Sequence, residues 1–159
     1  MNPTFEKIYD ALPDEVSEKE NEAAEVIKEK TGGHFLTSRT AGGITAAVAL
    51  CHGLAVESGW WKDPVTGEPK ERNDGELICL MHSELSEAME GVRKNKQDDH
   101  LPHRKSVEVE LADVLIRIFD YAGARGLDLS GAVIEKLAYN QQRADHKLAA
   151  RAKADGKKF

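Results

Sequence analysis

An all-α fold is predicted by three features of the chain. No run of β-branched residues alternates with polar ones over the length of a strand. Two blocks, residues 41–58 and 104–122, are apolar almost all round a helical wheel, which suits central helices under close packing. Helix caps and breakers fall where the periodic segments begin and end. A length of 159 residues gives room for one domain and one core with a short appendage. The expected arrangement is a four-helix bundle made from the long helices after residue 40, with an N-terminal helical extension. The boundaries that follow are an extension over 1–38, a helical domain over 39–150 and a basic tail over 151–159.

Taken in order, residues 5–12 form a short helix with Phe5, Ile8, Tyr9 and Leu12 on one side and Pro13 at its end. Ser17 and Glu20 make a capping-box pattern that opens a highly charged helix to Lys30, stopped by Thr31, Gly32 and Gly33. Its only inward residues are Ala23, Val26 and Ile27, so it is peripheral. The next helix, 41–58, ends at Gly59, with Trp60 and Trp61 directly after. Residues 62–72 are a loop punctuated by Pro64, Gly67 and Pro69, long enough for a flap. Asn73 caps a helix that runs to about Arg93, with Glu76 three residues on. A polar loop over 95–103 contains Pro102; a strongly apolar helix over 104–122 follows, and residues 123–126 turn the chain. Asp128 then caps a last helix that reaches at least Arg143 before the basic tail.

Acidic residues number 28 against 22 Lys plus Arg, a net charge of -6. Such a chain has no field to draw in nucleic acid or an anionic membrane. Cys51 and Cys79 match no metal spacing and no disulfide framework, which points to a reducing compartment. The first residues lack the basic-then-apolar pattern of a signal peptide. The stretch 41–56 is too short and too weakly hydrophobic to span a bilayer. The expectation is a soluble cytoplasmic protein.

The chemistry lies in two carboxylate pairs. Glu84 and Glu87 are three apart on one helix, and Glu110 and Asp113 are three apart on the next. At that spacing both members of a pair share a helix face. Glu84 falls in the stripe of Leu77, Leu80, Met81 and Ala88, the face expected to be buried. An unpaired carboxylate there costs several kcal/mol, so a counter-charge or a metal is implied. Glu110 and Asp113 share a narrow strip with Arg117 and Asp120 that is either a solvated face or the lining of a cavity. If the two helices are antiparallel neighbours, four carboxylates converge. Oxygen ligands without His or Cys select Mg²⁺ or Mn²⁺ over zinc, and magnesium shares its ligands with phosphates.

Glu84-Leu-Ser-Glu87 and, after 22 residues, Glu110-Leu-Ala-Asp113 resemble the ExxE…ExxD signature of MazG-like nucleotide pyrophosphohydrolases. The wording LMHSELSEAMEGVRK and VEVELADVLIRIFD is similar to that family, as are the flanks AVESGWW and EKLAYNQQRADHK. The similarity covers residues 41–147. It implies an all-α bundle of MazG-like type that assembles as a homodimer or homotetramer. It also implies Mg²⁺-dependent hydrolysis of a nucleoside triphosphate to the monophosphate and pyrophosphate, with house-cleaning of non-canonical nucleotides as one use. On this reading Glu84, Glu87, Glu110 and Asp113 hold the metal and Glu87 is the base.

Lys136, Asn140 and Arg143 fall at i, i+4 and i+7 of the last helix and share a face. They read either as a frayed, solvated helix end or as contacts to phosphate and sugar; the same spacing in MazG-like relatives favours the second, with Lys136 and Arg143 assisting catalysis. Trp60 and Trp61 serve either as a platform for a nucleobase or as a hydrophobic plug. Lys94, with Arg93, is an ordinary C-terminal helix cation or a phosphate contact. His82 points elsewhere on its helix, and His100 and His103 have no third ligand. No Glu-x-x-His pair suits a di-iron bundle, no His-Asp dipeptide suits a phosphohydrolase of that type, and no GxxxxGK[ST] loop exists. The remaining alternative is a non-catalytic helical module of the same fold that binds nucleotides or partners.

Overall fold

The structure, a computed structural model, describes residues 18–31 and 34–157. Among these every named element is helical: α1 (Glu18–Thr31), α2 (His34–Glu57), α3 (Asp74–Lys94), α4 (Ser106–Ala124), α5 (Leu129–Gln142), a 3₁₀ turn (Ala144–His146) and α6 (Leu148–Arg151). The all-α expectation holds. The expected helix over 5–12, the Ser17 cap and the Gly32–Gly33 stop lie outside the described residues.

Two boundaries differ from expectation. The helix expected over 41–58 begins at His34, because 34–40 contains no breaker and Gly42 and Gly43 are carried inside the helix. One stretch of it, Ser38–Glu57, is therefore long and apolar enough to cross a bilayer by length and composition alone. The last long helix stops at Gln142, with Arg143 as an extended C-cap.

Two compact units emerge. The first is Ala47–Leu127, holding the C-terminal half of α2 together with α3 and α4. Asn73 caps α3 by accepting from the Glu76 amide at 3.1 Å. Asn95 ends it in the left-handed region at φ 47, a conformation Asn tolerates. Helices α3 and α4 are antiparallel: Gly91 meets Ser106, Glu84 meets Arg117 and Asp74 meets Arg125, in opposite order along the two. Gly91 is needed for the approach, since a Cβ there would lie 2.8 Å from the Ser106 hydroxyl oxygen. The connection is pinned by buried Asp98, which accepts from the amides of His100 at 2.9 Å and Leu101 at 2.6 Å. The loop after α2 forms a small flap: Lys62 bridges Pro69, and Asp63 Oδ1 accepts from the Val65 and Thr66 amides at 2.9 and 2.8 Å.

The second unit comprises the described residues of 13–46 and 128–159. Its core is Ala23, Ile134 and Ala138, with Val26, Ile27 and Ala41 packed against them. These include the inward residues that the sequence pattern assigns to α1. Asp128 caps α5 by accepting from the Gly131 amide at 2.8 Å.

Candidate metal centre

Heptad-like spacing decides which residues α3 turns inward: Leu77, Glu84, Ala88 and Gly91 are its buried positions. Glu84 is only 7% exposed, as its place in the apolar stripe predicts. Its counter-charge is Arg117 of α4, whose Nε donates to Oε1 at 2.8 Å and whose Nη2 lies 2.7 Å from the same oxygen.

The strip on α4 that reads as either solvated or internal is partly buried. Glu110, Asp113, Arg117 and Asp120 are all partly buried, while Leu111, Leu115 and Ile116 on the other side are exposed. Buried Ser106 donates to Glu110 Oε1 at 3.4 Å. Glu84, Glu87 and Glu110 each offer one oxygen to a group in which all three lie within 4.8 Å of one another. Glu87 is the exposed member, open to water. Asp113 stands outside this group but feels its charge.

The electrostatics follow from the crowding. Burial pushes the Glu110 carboxyl up from its ordinary value, and the Glu87 and Asp113 charges push it further. Asp113 is likewise raised, by burial and by Glu84, with Arg117 offsetting part of the effect. Like charges gathered in a half-dry place hold protons too tightly, and a cation relieves that. The donor set fits Mg²⁺ or Mn²⁺. Magnesium–oxygen distances near 2.1 Å put opposed ligands about 4.2 Å apart, and a 4.8 Å group closes to that with small side-chain movement.

The remaining expected site residues divide. Trp61 is committed locally: its indole N–H donates to Asp120 Oδ1 at 2.9 Å, and His52 Nδ1 lies 2.7 Å from the same oxygen. The guanidinium groups of Arg72 and Arg125 sit 5.4 and 5.7 Å from the Trp61 ring centroid. Trp60 is 67% exposed. Lys94 is exposed and pairs with Glu90 at 2.6 Å. Lys136, Asn140 and Arg143 belong to the second unit. There the Lys136 ammonium lies 4.7 Å from the Tyr139 ring centroid, and Arg143 pairs with Asp145 at 2.5 Å. Asn140 Oδ1 is buried without a hydrogen-bond partner among the described residues.

Sequence reasoning missed the His52–Asp120–Trp61 cluster. Its His52 and Trp61 line a cleft of about 220 Å³ together with Lys70, Glu71 and Arg125. The signal was Asp120, which continues the Glu110–Asp113–Arg117 strip by one more turn. Gly123 makes room for it, since a Cβ there would lie 2.6 Å from His52 Cβ.

Comparison with protein-family models, with curated proteins and with solved structures finds no match. The functional reading therefore stands on the residues.

Proposed function

We propose that the chain is a MazG-like nucleoside triphosphate pyrophosphohydrolase, acting in the cytoplasm on (deoxy)nucleoside triphosphates. One observation carries this reading: three carboxylates from two antiparallel helices offer oxygens within 4.8 Å of one another. Glu84, Glu87 and Glu110 would hold Mg²⁺ or Mn²⁺, with Asp113 as a further ligand. Bound there, the cation neutralises polyphosphate charge and polarises a phosphoryl oxygen.

The protein's own share of the chemistry is positioning and proton transfer. Water attacks the α-phosphorus, its oxygen forming the new bond while the bond to the β-phosphate bridging oxygen breaks and pyrophosphate leaves. Glu87, the exposed member of the cluster, takes the proton from that water as general base while still within reach of the cation. Buried Glu84 is held in one orientation by Arg117, which suits a ligand better than a base. The roles of Lys136, Asn140 and Arg143 toward phosphate and sugar, of Lys94 toward phosphate and of Trp60 toward the base belong to the same proposal and rest on the resemblance.

A homodimer or homotetramer is part of the proposal. Ile78, Leu85, Met89 and Val92 form an exposed apolar stripe on α3, matched on α4 by Leu111, Leu115 and Ile116. Seven-residue spacing of Ile78, Leu85 and Val92 is a helix-packing seam.

The test is pyrophosphate release from a panel of canonical and modified nucleoside triphosphates with Mg²⁺. Release in step with monophosphate, abolished by EDTA, is expected. Undiminished release in excess EDTA contradicts the metal reading, and none from any nucleotide leaves the non-catalytic module.

A further inference from the structure

Arg117 does something at this centre that the carboxylate motif does not require. Its guanidinium donates from Nε to a single oxygen of Glu84 at 2.8 Å, and Nη2 lies 2.7 Å from the same oxygen in the ion pair. Glu84 is almost wholly buried, whereas the Arg117 side chain is 40% exposed. One partner is thus fixed and the other has a way out to water. The oxygens offered by Glu84, Glu87 and Glu110 form the same close group, so a divalent cation held there stands beside the guanidinium. Two positive centres sharing one carboxylate repel, and the one with access to solvent gives way.

On the reading of this cluster as a metal centre, we propose that Arg117 is a resident counter-ion that competes with the divalent cation for Glu84. Without metal it supplies the positive charge that buried Glu84 needs. When a cation is bound, the guanidinium is displaced from Glu84 and becomes a free donor fork at the edge of the site. Arg117 is in this sense a positioning residue that sets metal affinity, and it is distinct from the four acidic ligands. The same position explains why Asp113, four residues earlier on α4, has part of its repulsion offset by Arg117.

The experiment is a Mn²⁺ titration of the full chain, following free Mn²⁺ by electron paramagnetic resonance. Arg117→Met is expected to bind Mn²⁺ at least about tenfold more tightly than wild type, because the resident competitor for the Glu84 carboxylate is gone. Arg117→Lys, which keeps the charge, should stay near wild type. In a Glu84→Gln background the Arg117→Met change should give no tightening. Should Arg117→Met unfold without metal, Arg117→Gln, which removes the charge but keeps a hydrogen-bond donor for Glu84, is titrated in the same way and is expected to bind Mn²⁺ more tightly than wild type. Equal or weaker binding by Arg117→Met overturns the proposal, as does tightening that persists without the Glu84 charge. Failure of the wild type to bind Mn²⁺ at all removes the metal reading on which the proposal rests.

Discussion

The α1/α5 pair and the α3/α4 hairpin solve the same packing problem in opposite ways. In α1/α5 the interior is Ala23, Ile134 and Ala138, with Val26 and Ile27 beside them, and α1 turns most of its Glu and Lys residues outward. In α3/α4 the polar strip of Glu110, Asp113, Arg117 and Asp120 faces in with Glu84, while Leu85, Met89, Leu111 and Leu115 face out. Burying charge where leucine was at hand sacrifices stability, because a desolvated ion pair seldom repays its transfer from water. Such an inversion is what a site demands and a structural helix pair avoids. On the proposed oligomer, the outward leucines are the surface that another copy would cover.

The comparison breaks most visibly in kinetics. Replacing Glu87 with Gln is expected to lower the rate of pyrophosphate release by at least about 100-fold, the range for losing a general base. Glu110→Gln should lose a comparable amount through metal affinity. Near-normal turnover in both would reduce the hairpin to another structural pair.

Stability gives the next largest effect. In EDTA, Arg117→Met leaves Glu84 buried among like charges without its partner. A fully buried broken pair costs about 3–5 kcal/mol. The exposed half of Arg117 brings the expectation down to about 2 kcal/mol, read from urea denaturation.

The pH dependence sharpens the contrast. Glu110 and Asp113 have folded-state values raised above those of the unfolded chain, so the native state binds their protons more tightly. Their ionisation therefore costs stability, which is fully spared below the ordinary carboxylate range and lost as pH rises through the raised values. Metal-free Glu110→Gln should accordingly gain on wild type as pH climbs out of that range. Parallel denaturation curves for the two proteins at every pH would mean the cluster is solvated.

The structure departs from what the chain discloses where distance in sequence hides the partner. Asn73 as a cap, Glu84 on a buried stripe and the inward Ala23, Val26 and Ile27 are all local patterns, and each is read from periodicity alone. Arg117 is legible as a member of the polar strip, but its pairing with Glu84 spans 33 residues and depends on the rotation of α4. The direction of that strip, inward or outward, is settled only by packing. Asp120 with His52 spans 68 residues, and nothing on α2 marks His52 as special. The early start of α2 was hidden by Gly42 and Gly43, which look like breakers and sit within the helix. Arg143 shares a face with Lys136 and Asn140 only if α5 continues, and it ends one residue short.

Smaller effects come from the supporting contacts. Gly123→Ala must push His52 aside and is expected to cost about 1–3 kcal/mol, the range for an overpacked interior. In the other unit, Lys136→Ala removes an exposed side chain and should change stability by less than about 0.5 kcal/mol. A fall in kcat/KM with that stability unchanged is what a phosphate contact predicts, and wild-type kinetics would take Lys136 out of the proposal.

The most direct check on the central claim is a crystal structure grown with Mn²⁺ and read for its anomalous signal. The account predicts a peak about 2.1–2.3 Å from carboxylate oxygens of Glu84, Glu87 and Glu110. Saturating Mn²⁺ with no peak at these three residues, or a peak only elsewhere on the protein, would contradict it.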